Sequence, residues 1–147
     1  MSTNTYSFQD VTASLIGIGG SIAMGAGAGP TDEGIEIETA AAINTMTIGA
    51  DGTGQHSLIA DKSGKITVRL LKTSPTNAQL MAMVNFQRTS GATHGQNVFT
   101  LQDKNRNDIV SCRQVAFAKI PNLSYGKDAQ PVEWTFEAVL IDFLLGS

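Results

Sequence analysis

The chain has 147 residues, enough for one domain with a sizeable core, and a formal net charge of −3. Charged residues make up 16%, against roughly a quarter in an average protein. The acidic balance excludes a surface that grips a phosphate backbone through clustered Lys and Arg, and the single cysteine, Cys112, excludes an internal disulfide.

In chain order, Tyr6 and Phe8, then Val11, Ala13 and Leu15, predict a first strand with a register change near Gln9 and Asp10. Val11 to Gly29 carries no charge, yet Met1 to Asp10 offers no basic n-region and the stretch is too rich in Gly and Ala for a membrane span. It reads as a strand followed by a mobile glycine loop, in a soluble protein made in a reducing cytoplasm. Ile35 and Ile37 alternate with Glu36 and Glu38, giving a strand with one buried face and two carboxylates on the other. Ile43 to Ala50 reads as a further strand. Asp51-Gly52-Thr53-Gly54 is a turn-forming run that opens a longer loop through Ala60, and Asp61 to Gly64 closes it.

Asp61 to Gln87 is the most informative stretch. Ile66, Val68 and Leu70 alternate with Lys65, Thr67 and Arg69, the two-residue period of a half-buried strand. Ser74 can accept hydrogen bonds from free backbone amides, and Pro75 suits a first helical position, so a helix is expected over about Ser74 to Gln87. Leu80, Met83, Val84 and Gln87 fall on one face of it. Met81 and Phe86 lie off that stripe, which implies cover on more than one side.

Val98 to Gln102 predicts a strand, and DKNRND at Asp103 to Asp108 a reversal. Ile109 to Ile120 is a long strand whose alternation breaks around Arg113 and Gln114, as a bulge causes. Leu123 to Pro131 is a polar excursion, and Val132 to Leu145 the last strand. Val132, Trp134, Phe136, Ala138 and Leu140 share one face of it; Val139, Ile141, Phe143 and Leu145 make the far half of the other face apolar too. An isolated domain would expose that second face, so a partner subunit is expected over it. Strands, turns and one helix indicate a mainly β protein, an antiparallel barrel or sandwich in a single domain over 1–147.

Signatures of chemistry fail on inspection. Gly17-Ile18-Gly19-Gly20-Ser21-Ile22 opens like a dinucleotide fingerprint, but Ile22 stands where the third glycine belongs and no βαβ unit surrounds it. Asp103, Asn105 and Asn107 match the start of a calcium loop, which then lacks both the turn glycine and the bidentate carboxylate. No CxxC or Cys/His cluster offers a zinc site, and His56 and His94 sit in polar, Gly-containing loops without a nucleophile elbow. Neither Glu36 with Glu38 nor Glu133 with Glu137 departs from ordinary strand alternation, so no catalytic constellation, cofactor or metal is expected.

The strand GKITVRLL, the helix start TSPTNAQL, a late hairpin and the terminus EWTFEAVLIDFLLG together resemble tail tube proteins of contractile-tailed bacteriophages. The resemblance covers most of the chain and rests on the ordered set. It implies a β-barrel or sandwich with a flanking helix, six copies closing into a ring, and rings stacking into a hollow tube that conducts DNA into the host. The implied partners are the tail sheath, baseplate and tail terminator proteins, a tape-measure protein in the lumen and DNA in transient, non-specific passage. No membrane is involved; the product belongs to the virion tail. On that pattern Glu36 and Glu38 are candidates for the lumen face, where acids let DNA slide. Asp51, Gly52, Thr53, Gly54, Gln55 and His56 fall in the candidate inter-ring loop, and Val139, Ile141, Phe143 and Leu145 in the candidate inter-subunit strand. The tube of a phage-derived contractile particle or secretion apparatus is a close variant. A monomeric β-sandwich module binding carbohydrate or peptide would need an exposed aromatic platform, whereas Trp134 falls on an apolar strand face. A small hydrolase would depend on His56 or His94.

Overall fold

The computed structural model describes residues 4–146, without the side chains of residues 31–33. Nine strands and one α-helix are found among them: β1 (Val11–Gly17), β2 (Gly20–Ala23), β3 (Pro30–Thr39), β4 (Asn44–Ile48), β5 (Gly54–Leu58), β6 (Gly64–Leu70), α1 (Thr76–Gln87), β7 (Asn97–Asp103), β8 (Asp108–Lys119) and β9 (Val132–Leu144). Seven strands form one antiparallel sheet in the order β2-β1-β7-β8-β9-β6-β3, and β4 pairs with β5 apart from it.

This sheet cannot be flat. Ala26 N–H bonds Val11 O beside β1, while Gly29 O accepts from Leu71 N–H beyond β6. Three Cα steps separate those two anchors, a reach of about 11 Å at most. Six inter-strand gaps in a flat sheet would hold its outer strands about 29 Å apart. The sheet is therefore rolled until its two outer edges approach at this end. Gly25 fits the seam because it has no side chain: a Cβ there would lie 2.7 Å from Val11 O. The expected mobile loop is thus replaced by strand β2 and a hydrogen-bonded crossover that buries Met24 completely. The GIGGSI run is the β1–β2 hairpin turn, with Gly19 and Gly20 at φ of 111° and 137°, values open to glycine.

Helix α1 lies over the buried face of the rolled sheet. At its start Ser74 Oγ accepts from Thr76 N–H and, as a donor, reaches Ala28 O in the crossover, tying the helix to the seam. Asn77 Oδ1 accepts from Trp134 Nε1 on β9 at 3.0 Å. Leu80, Met83, Val84 and Gln87 are buried as their spacing implies; off that stripe Met81 is partly buried against the core, whereas Phe86 is left exposed by the described residues. The core they complete contains Leu15, Ile66, Val68, Phe99, Phe117, Trp134 and Phe136. Phe117 packs edge-on against Trp134, with centroids 6.0 Å apart.

The remaining irregularities match sequence signals. Gln114 has φ of 53°, and the β7–β8 register shifts between Asn97 and Phe99, placing the bulge where alternation broke. In the DKNRND reversal, Asp103 Oδ1 accepts from the backbone of Asn105 and Arg106. On β9 the buried set is Val132, Trp134, Phe136 and Ala138, then Ile141 in place of Leu140, so the inward phase slips by one residue opposite the β8 bulge.

At the C-terminal end of α1 a buried amide pair closes the structure. Gln87 Nε2 donates to Asn97 Oδ1 at 2.7 Å and to Ile18 O at 3.0 Å, and Asn97 Nδ2 returns a bond to Gln87 Oε1 at 2.8 Å. Asn97→Ala removes both side-chain bonds to Gln87, leaving its buried Oε1 without that donor while Nε2 keeps only Ile18 O. It is expected to cost about 1–3 kcal/mol, read as a lower urea midpoint; an unchanged midpoint would contradict the pairing.

Candidate assembly surfaces

Three surfaces, two on the rolled sheet and one on the separate β4–β5 hairpin, are placed by strand register. The first is the outer face of β3, β6 and β9. Side chains directly opposite one another share a face, so Glu38, Lys65 and Glu137 stand in one row and Glu36, Thr67 and Thr135 in the next. Arg69 crosses between strands, 3.1 Å from Glu133 and 3.6 Å from Glu36. Glu36 and Glu38 both sit exposed on this face. Four carboxylates, Glu36, Glu38, Glu133 and Glu137, thus face Lys65 and Arg69, leaving the described part of the face acidic.

The second surface is the β4–β5 hairpin. Residues Asp51 to Ala60, expected as a loop, include strand β5, which pairs with β4 from Asn44↔Leu58 to Ile48↔Gly54. The sequence concealed the strand because GQHSL has Leu58 as its only large apolar residue and shows no alternation, and backbone pairing rather than burial holds it. Gly49 to Thr53 make the turn. Asp51 Oδ1 accepts from Thr53 N–H at 3.0 Å, and this contact holds the carboxyl below the usual range. Gln55 and His56 are strand residues, with His56 Nδ1 3.0 Å from Asn44 Nδ2.

Register makes the hairpin two-faced. Thr45, Thr47, Gln55 and Ser57 share one side; Met46, Ile48 and Leu58 share the other with Asn44 and His56. Met46, Ile48 and Leu58 are 60%, 55% and 87% exposed, so the described residues leave the apolar side uncovered. Sequence reading treated Met46 and Ile48 as ordinary strand residues. Their alternation with Thr45 and Thr47 was visible, but the missing cover becomes evident only when the hairpin is seen to stand off the main sheet. At its base Asp61 Oδ1 accepts from Ser63 Oγ at 2.6 Å and Ser63 N–H at 2.8 Å, both lowering the Asp61 pKa.

The third surface is the end of β9. Val139, Phe143 and Leu145 are exposed there, and Ile109 and Leu144, which pair across β8 and β9, are exposed on the face opposite Phe143, whose own partner is Val110. Ile141, expected to lie with the first three, is instead buried at 4% against the chain's own core, because the inward phase has slipped by then. It is not available to a partner.

No group of three metal-ligating side chains occurs among the described residues. No helix among them is long and apolar enough to cross a membrane. Cys112 is fully buried on β8; desolvation, with Asp142 adding a smaller charge effect, raises its pKa from 9.0 to about 11. An elevated folded pKa favours the native state below the unfolded value, and that contribution is lost as pH rises from 9.0 towards about 11. Ellman's reagent at pH 8 is therefore expected to label Cys112 only as fast as the chain opens; immediate labelling of the native protein would contradict its burial.

A family model described as the bacteriophage PhiTE tail tube protein matches residues 1–146. No curated protein sequence matches. Among solved structures, the chain is similar to a sheath/tube terminator of an extracellular contractile injection system, with a TM-score of 0.66, 12% identity and coverage of 97% of this chain and 98% of the other. It is also similar to the sheath-tube complex of such a system, with a TM-score of 0.61, 12% identity and coverage of 96% and 92%. A chain from the tail of an empty GTA particle, solved with C6 symmetry, gives a TM-score of 0.58 at 14% identity, covering 97% and 100%. At these identities the likeness is one of fold.

Proposed function

Because the chain belongs to the bacteriophage PhiTE tail tube protein family, a family of structural tail proteins and not of enzymes, we propose that it builds the hollow inner tube of a contractile tail. Six copies close into a ring, rings stack, and the channel conducts DNA into the host. The observation that carries this reading is the β4–β5 hairpin, which holds Met46, Ile48 and Leu58 away from its own core on one side. A head-to-tail contact that uses different surfaces of the same chain repeats without limit, which is what a tube requires.

The other two surfaces take complementary roles. Val139, Phe143 and Leu145 meet a neighbour within the ring. The face carrying Glu36 and Glu38 lines the channel, where its acidic excess keeps a polyanion from adhering. The sheath surrounds the tube, baseplate and terminator proteins hold its ends, and a tape-measure protein occupies the lumen before DNA. An equivalent tube in a phage-derived contractile particle uses the same contacts. The likeness to a sheath/tube terminator supports a second reading, a ring that ends the tube rather than extending it.

Sedimentation separates these readings. Tube subunits form long, rapidly sedimenting polymers above a threshold concentration, whereas a terminator stops at one ring. Removing Leu58 from the contact forfeits about 1.5–3 kcal/mol of burial, so Leu58→Ser should raise the polymerisation threshold about tenfold or more while leaving the monomer's unfolding unchanged. An unaltered threshold would remove the hairpin from the assembly. For the channel, particles in which Glu36→Lys and Glu38→Lys are combined should eject DNA more slowly and infect poorly; full infectivity would take those residues out of the lumen.

A further inference from the structure

The apolar side of the hairpin is uncovered, and the opposite end of the sheet exposes apolar side chains of its own. The hairpin leaves β3 after Thr39 and rejoins β6 at Gly64, residues that pair with each other. At the other end of the same strands Leu70 pairs with Val132 and Pro30, and two segments emerge there: Leu71 and Lys72 after β6, and residues 120–131 before β9. Leu71, Leu123 and Tyr125 are 49%, 55% and 78% exposed. Pro121 and Pro131 wall a recess beside them.

This end is organised rather than loose. Lys72 Nζ lies 4.5 Å from the Tyr125 ring centroid and 3.3 Å from its hydroxyl, and Tyr125 bridges to Ala129. The contacts fix the β8–β9 connection over the start of the β6–α1 turn and leave Leu123 standing free. Charge agrees with the match. Residues 43–60 contain a single ionised side chain, Asp51 at the hairpin tip, whereas Lys72 and Lys127 outnumber Asp128 at the receiving end.

From this geometry we infer that the apolar side of the β4–β5 hairpin docks on Leu71, Leu123 and Tyr125 of a second copy of this chain, with Asp51 directed to its lysines. The inference rests on the tube reading and gives that stack its polarity, since donor and acceptor lie at opposite ends of one subunit. The receiving patch is exposed in the free chain, so altering it spares the fold.

The test uses two singly substituted chains, Met46→Cys and Leu123→Cys, mixed, polymerised and treated with a short bismaleimide. Buried Cys112 serves as an internal blank, checked with the unsubstituted chain. The expected product is a covalent dimer found in the sedimenting fraction of the mixture and absent from either variant alone. Sedimenting polymers without that dimer would overturn the docking but leave the tube reading intact; absence of any polymer at any concentration would overturn both. As a second readout, Leu123→Asp should raise the polymerisation threshold at least tenfold with unchanged urea unfolding, and an unchanged threshold would also overturn the docking.

Discussion

The constraint on which the structure depends is the short crossover from β2 to β3. Its anchors at Ala26 and Gly29 lie three residues apart and belong to opposite edges of a seven-stranded sheet. Rolling follows from chain length alone, and the other features follow from rolling. A curved sheet has an inner face that one helix can cover, so α1 with Leu80, Met83 and Val84 suffices to complete the core. It also has an outer face free for polar residues, and two ends at which connections project. Ser74, hydrogen-bonded to Ala28 O, fastens helix and seam together at the point of closure.

Apolar surface is divided in a way that suits an assembling subunit better than a solitary one. Trp134, Phe99 and Phe136 are wholly inside, while Met46, Ile48 and Leu58 sit on an arm that the core never reaches. Such groups contribute little to folding of the single chain, and in the proposed tube their burial on contact would favour association. The hairpin and the β8–β9 connection lie at opposite ends of the β3 and β6 strands, which in the proposed tube would give each subunit a front and a back. The strands between them offer a lateral surface at the end of β9 and an acidic outer face.

Much of the fold was legible in the sequence where local period and burial agree. The alternation of Ile66, Val68 and Leu70, the stripe of α1 and the break at Arg113 and Gln114 each reflect a direct physical cause, and each is found in place. Legibility failed where pairing rather than burial makes the strand. Nothing in Gly54–Leu58 alternates, yet five backbone-paired residues stand there. It failed again at β2, where glycines that permit close packing resembled glycines that permit motion. Ile141 was misplaced because a phase slip on β9 answers a bulge on its neighbour β8, a non-local cause that a single strand's pattern cannot display. For the surfaces, the apolar far half of the last strand was visible in the sequence, whereas Asp51 to Ala60 was expected as a loop and its pairing with β4 was not. Nor did the sequence show that Met46 and Leu58 share a side, which only register decides.

Negative-stain electron microscopy of the purified chain at high concentration tests the central claim most directly. The account predicts hollow filaments of stacked rings, growing from one end when baseplate seeds are supplied. Uniform single subunits under the same conditions, with seeds present, would contradict it.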